Sequence, residues 1–185
     1  DGPGTVKFVH SNATHAPHVF DAGCNYLETR SSDYSRAQGQ VACALSSLSR
    51  YFDALRSKSV FDNTAVIIVA DHGSGQPSRY AAEGTTHRWA TYIGSANPLL
   101  MVKAGGAKEP LQFSDEPRSL SQLGAIACSE TGACDPSRFP LNRKHILYDW
   151  RDAPFRPRQF SLEVFEVDAP VYKPESWKSL IKIED

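Results

Sequence analysis

Ala65-Val66-Ile67-Ile68-Val69-Ala70 is an unbroken apolar run, four of its six residues β-branched, and it stops abruptly at Asp71-His72-Gly73. Such a run is the pattern of a strand buried on both faces, as in a parallel sheet covered by helices. A carboxylate and an imidazole then stand side by side where that strand ends. Open α/β sheets place ligands just outside the carboxyl ends of their strands. An aspartate oxygen beside a histidine nitrogen suits a divalent ion such as zinc or manganese. Gly73 permits a tight backbone turn next to that pair. Asp71 and His72 are therefore the first candidate metal ligands.

The flanking sequence extends this into a strand–helix–strand unit. Val6-Lys7-Phe8-Val9-His10 reads as a short first strand. From Tyr34 onward, apolar residues recur at Ala37, Val41, Ala44, Leu45, Leu48, Tyr51, Phe52 and Leu55. Those steps of three and four predict an amphipathic helix of about six turns with a core-facing stripe. Ser32 or Asp33 is placed to cap it, and Arg50, Arg56 and Lys58 suit the negative pole at its end. The order is that of a βαβ unit, so the expected fold class is α/β with a mixed, mainly parallel sheet flanked by helices.

Between first strand and helix lies a polar loop with His10, His15 and His18 close together. Pro17 prevents a shared helical face for them, and a loop after a strand is where ligand contacts often lie. A long polar stretch from Ser74 to Asn97 follows the DHG triplet and carries His87 in its middle. Loops of that length in compact domains are usually functional or disordered.

Beyond it, Pro98–Lys103 reads as a second sheet strand ended by Ala104-Gly105-Gly106, and Ser119–Ala127 as a short capped helix. His145–Trp150 reads as a strand, and Arg151–Arg158 as a basic turn. Phe160–Val167 alternates apolar with acidic residues, the mark of an antiparallel strand with one wet face. Ser176–Ile183 closes the chain as a short helix or strand. The whole is expected to be one domain, 1–185, with a metal-site half at 1–103 and C-terminal strands and helix at 104–185.

Four cysteines form an even set. Bridges Cys24–Cys43 and Cys128–Cys134 fit an oxidising compartment, and CSETGAC lacks the CxxC spacing of a metal or redox motif. Three pairings are possible, and sequence does not choose among them. A net charge of −1 over 185 residues gives no electrostatic reason to invoke nucleic acid or an anionic membrane surface. No apolar run reaches the ~20 residues that span a bilayer. The opening Asp1-Gly2-Pro3-Gly4 reads as that of a cut or processed chain.

Taken together, His10, the THAP segment with His15, the long helix, FDNTAVIIVADHG, a later histidine and the PLLMVK strand resemble the carboxyl-terminal half of the alkaline-phosphatase/sulfatase superfamily. The branch they resemble most is that of bacterial envelope enzymes: lipoteichoic acid synthase-like, phosphoglycerol and phosphoethanolamine transferase proteins. The likeness is strongest from Phe8 to Lys103.

It implies that Asp71 and His72 bind a catalytic divalent metal, zinc or manganese. It implies that His15 and His87 contact a second metal or the phosphoryl group. It implies a phospholipid-derived head-group donor, a glycan or lipid acceptor, and a periplasmic or extracytoplasmic location in a bacterial inner-membrane protein anchored through an N-terminal part. The threonine nucleophile of such enzymes, and an acidic metal ligand, belong to the amino-terminal half and have no counterpart here. The isolated chain is accordingly expected to be inactive. A sulfatase-like hydrolase or phosphodiesterase, and a non-catalytic domain holding an anionic ligand or partner, are the alternatives.

Overall fold

The computed structural model describes residues 4–31, 34–73, 93–139, 144–151 and 159–184. Its contacts cluster into two compact units, Asp1–Thr64 and Ala65–Asp185. It is a mixed α/β structure whose strand pairs, among the described residues, are all antiparallel.

In the first unit, β1 (His18–Phe20) pairs with β2 (Tyr26–Ser31), and α1 runs from Tyr34 to Ser57. The helix has the length its periodicity predicts; its expected caps, Ser32 and Asp33, lie outside the described residues. Its stripe is narrower than expected. Ala37, Ala44, Leu48, Phe52 and Leu55 are half-buried, whereas Val41, Leu45 and Tyr51 are exposed. The most buried residue on this helix is polar: Gln40 is 4% exposed.

Gly39 does not break the helix. A Cβ there would stand 3.3 Å from the Ala22 nitrogen, so glycine lets the β1–β2 connection rest on the helix backbone. One turn on, Cys43 is bridged to Cys24, one of the two expected disulfides. Cys24 has a φ of 64°, a left-handed conformation that L residues rarely adopt, and its N–H bonds the Asp21 carbonyl. Positions 39 and 43 thus fasten the β1–β2 connection to α1. The expected strand Val6–His10 joins no sheet among the described residues, and Val6, Phe8 and Val9 are exposed. An apolar run becomes a strand only through a ladder, and β1 forms instead where β2 supplies one.

In the second unit, β3 (Val66–Val69) pairs with β4 (Leu100–Lys103), Val66 opposite Lys103 and Val69 opposite Leu100. This pairing is antiparallel, where the sequence predicts a mainly parallel sheet. Apolar character specifies that a strand is covered, but not the direction of its neighbour. Nor is β3 fully covered: Val66, Ile67 and Ile68 are half-buried and Val69 is exposed. Residues 93–96, expected as loop, are helical.

The short helix is present. Ser119 forms a capping box with Gln122, whose Oε1 accepts the Ser119 N–H at 2.9 Å, and a 3-10 turn leads into α2 (Leu123–Thr131). Gly132, at φ 64°, ends it in the left-handed conformation. The second expected disulfide, Cys128–Cys134, ties that end down.

The final third follows the sequence reading closely. β5 (Lys144–Arg151), β6 (Gln159–Val167) and β7 (Trp177–Glu184) form a three-stranded antiparallel sheet in that order. The basic turn between β5 and β6 lies largely outside the described residues. Alternation along β6 sends Phe165 and Val167 inward and Glu166 outward. Ile93, Phe165, Val167 and Trp177 form the buried core, with Ala96, Val171 and Tyr172 against it. The Phe165 and Trp177 rings meet edge to face at 5.6 Å, and the Trp177 indole N–H donates to the Val171 carbonyl at 2.7 Å.

This core reaches the strand end through residues 93–96. Ile93 is fully buried in it, and two residues on, the Ser95 carbonyl accepts the Gly73 N–H at 2.7 Å. Gly73 does not serve a left-handed turn. A Cβ there would overlap the Gly94 carbonyl oxygen and come within 2.9 Å of the Asn97 carbonyl oxygen. Glycine is required because two backbone segments touch.

Two stability effects are expected. Gly73→Ala forces backbone apart and costs about 3 kcal/mol, the upper end for overpacking; a urea midpoint equal to that of the wild type disproves the contact. Replacing Cys24 and Cys43 by serine, which opens a loop with a sequence separation of 19, costs about 3 kcal/mol on the loop-entropy scale. Thermal melting under non-reducing conditions measures it.

Candidate metal centre

Asp71 and His72 lie just past the carboxyl end of β3, held from behind by two backbone bonds. Ala70 N–H donates to the Leu99 carbonyl at 2.9 Å and Gly73 N–H to that of Ser95 at 2.7 Å. The pair is thus suspended between two fixed peptide groups. Asp71 Oδ1 accepts the His72 backbone N–H at 3.0 Å, which fixes that carboxylate oxygen. His72 Nδ1 lies 2.7 Å from the Gly73 carbonyl oxygen. A carbonyl only accepts, so the proton of that bond sits on Nδ1 and leaves the Nε2 lone pair outward. Metal-ligating histidines are oriented in this way by a backbone carbonyl behind the ring.

Asp71 Oδ1 and His72 Nε2 are 3.9 Å apart, and both side chains are open to solvent, at 92% and 69%. Their 3.9 Å separation lies within the ~4.4 Å that two donors about 2.0–2.2 Å from one zinc ion can span at most, and is wider than the ~3.4 Å of a tetrahedral pair. The chemistry of the donors fits as well: a hard carboxylate oxygen and an imidazole nitrogen accept zinc or manganese. Among the described residues no group of three or more histidine, cysteine, aspartate or glutamate side chains converges on one point. Asp71 and His72 are thus two neighbouring donors, without a third beside them among the described residues.

The other histidines separate. His15 belongs to the first unit, in the loop before β1. It is exposed, its N–H bonds the Asn12 carbonyl at 3.0 Å, and its Nδ1 bonds the Ala16 carbonyl, leaving Nε2 outward as in His72. With Asn12, Phe20, Tyr26 and Gln40 it lines an open cavity of about 640 Å³. His18 is 8% exposed and lies on β1, with its Nδ1 3.5 Å from the Gln40 amide nitrogen. His10 is exposed in the preceding segment. His87 lies outside the described residues.

The residue that sequence reading passes over is Gln40. Its signal was present: an amide stands between Ala37 and Ala44 on the apolar side of a helix, and a polar group there needs buried partners. The Asp21 carboxylate, beside the same loop, is held below the usual aspartate range by the Asn25 side-chain amide and then by the Asn25 backbone N–H, against a smaller opposing effect of burial.

No protein-family model, curated protein or solved structure matches the chain. No helix among the described residues is long and apolar enough to cross a membrane.

Zinc titrated into the chain is expected to perturb the Asp71 and His72 resonances first. Asp71→Ala and His72→Ala should each lower the affinity at least tenfold, because neither donor alone holds the ion. Equal binding by both variants places the metal elsewhere.

Proposed function

We propose that this chain is the metal-site part of a sulfatase-like, metal-dependent phospho-group transferase of the bacterial envelope, moving phosphoethanolamine or phosphoglycerol from a phospholipid donor to a glycan or lipid acceptor. The observation that carries it is the pairing of Asp71 Oδ1 with His72 Nε2 at 3.9 Å just past β3, with the imidazole oriented from behind by the Gly73 carbonyl. The motif resemblance adds the reaction class. The alkaline-phosphatase-like arrangement around β3 is part of the same reading. An antiparallel β4 is compatible with it, because mixed sheets often carry an antiparallel edge strand.

Each residue has a defined task. Asp71 and His72 hold the divalent ion, zinc or manganese. When bound, that ion supplies positive charge against the phosphoryl oxygens and lowers the pKa of an attacking hydroxyl. On the motif resemblance, His15 would ligate a second metal through its Nε2 lone pair or, when protonated there, donate to the transferred group or the leaving oxygen. His87 takes a similar place on the motif alone. In enzymes of that kind the nucleophile is a threonine, and the resemblance assigns that part to no residue between Asp1 and Asp185. Two disulfides support an extracytoplasmic location.

The zinc-loaded or manganese-loaded chain should show no turnover of a chromogenic phosphodiester. Robust turnover that Asp71→Ala abolishes would instead put the nucleophile on this chain. An immunoblot of source cells gives the second test. A membrane-fraction band far above 20.4 kDa supports the transferase. A soluble band at the chain's own size favours a non-catalytic domain that binds an anionic ligand.

A further inference from the structure

We infer that Gln40 is the positioning residue of His15, acting through the backbone on both sides of the His15–His18 turn. Its bearing on phosphoryl transfer rests on the function proposed above for His15. The Gln40 amide uses both of its ends. Nε2 donates to the His15 carbonyl at 2.9 Å, and Oε1 accepts the N–H groups of Val19 at 2.7 Å and Phe20 at 3.2 Å. One side chain therefore closes the turn from His15 to Phe20, holding the carbonyl at its start and the amides at its end.

Three features separate this from ordinary core packing. Gln40 is nearly fully buried, so its bonds form away from competing water. It stands between Gly39 and Cys43, which hold the β1–β2 connection at Ala22 and Cys24. The turn from 15 to 18 has no such fastening, and Gln40 supplies it. Finally, the His15 ring bonds the peptide next to the one that Gln40 holds: Nδ1 bonds the Ala16 carbonyl, one residue beyond the His15 carbonyl. Which ring nitrogen carries the proton is set by the bond the other makes. By fixing the turn, Gln40 keeps the proton on Nδ1 and the Nε2 lone pair outward.

The test is the imidazole ¹⁵N spectrum of the full chain, with His72 as internal reference. In the wild type both His15 and His72 should show the Nδ1–H tautomer. In Gln40→Glu the acceptor for Val19 and Phe20 is kept, but an oxygen now opposes the His15 carbonyl. His15 should then pass to a mixture of tautomers while His72 stays unchanged and the melting curve remains cooperative. A purely structural role moves the melting temperature and leaves the tautomer alone.

Should the glutamate variant not fold, Gln40→Met, of similar volume, replaces it. A wild-type His15 protonated on Nε2, or a folded variant with the wild-type His15 signature, overturns the inference. Zinc titration of the same wild-type sample tests the metal-site reading separately. Absence of any zinc response at His72 removes that reading and leaves the Gln40 result intact.

Discussion

Burial of Ile93 against Phe165, Val167 and Trp177 is the contact on which the second unit depends. Among the described residues of that unit it is the one cluster of buried apolar side chains, and it ties residues 93–96 to the sheet of β6 and β7. From there the constraint passes through backbone. The helical segment offers the Ser95 carbonyl to Gly73, and Asp71 and His72 are displayed between Gly73 and the end of β3. The displayed pair is itself exposed, so hydrophobic contact acts at one remove from the chemistry.

The first unit solves a similar problem by other means. Among its described residues none is a buried hydrophobic. The His15 turn is instead held to α1 by the Gln40 amide, and the β1–β2 connection by the close approach to Gly39 and the Cys24–Cys43 disulfide. Each is directional or covalent, which suits a loop too polar to be held by burial. Such fastening is short in range: it acts on one helix face and leaves Val41, Leu45 and Tyr51 exposed.

What the sequence discloses and what it hides follow the range of the interactions. Alternation along Phe160–Val167 identified β6 and its wet face, because side-chain direction in a strand is a local property. The 3.6-residue period identified α1, the Ser119 cap began the short helix, and both disulfides were anticipated from cysteine placement. The direction of β4 against β3 was not legible, nor was the failure of Val6–His10 to join a sheet, because each depends on a distant partner. Gly73 was singled out for the wrong reason: its lack of a side chain matters for contact with residues 94–97, which a local reading of turns does not see. At the candidate site, Asp71 and His72 were legible as neighbours in the chain. The roles of Gly73 and Ser95 in holding them were not.

Because Asp71 and His72 are consecutive residues, their donor atoms stay near one another even when the chain is unfolded. Folding therefore does little to assemble this chelate; it orients the imidazole and places the pair at a strand end. An ion held by these two side chains alone would bind the unfolded chain nearly as well as the folded one, and would stabilise the fold little. Coupling of metal to structure, and selection of one metal over another, fall to whatever further donors complete the coordination sphere from a distance. On the metal-site reading, the DHG pair would supply two of the ion's donors, and the remaining affinity and the selectivity would come from elsewhere.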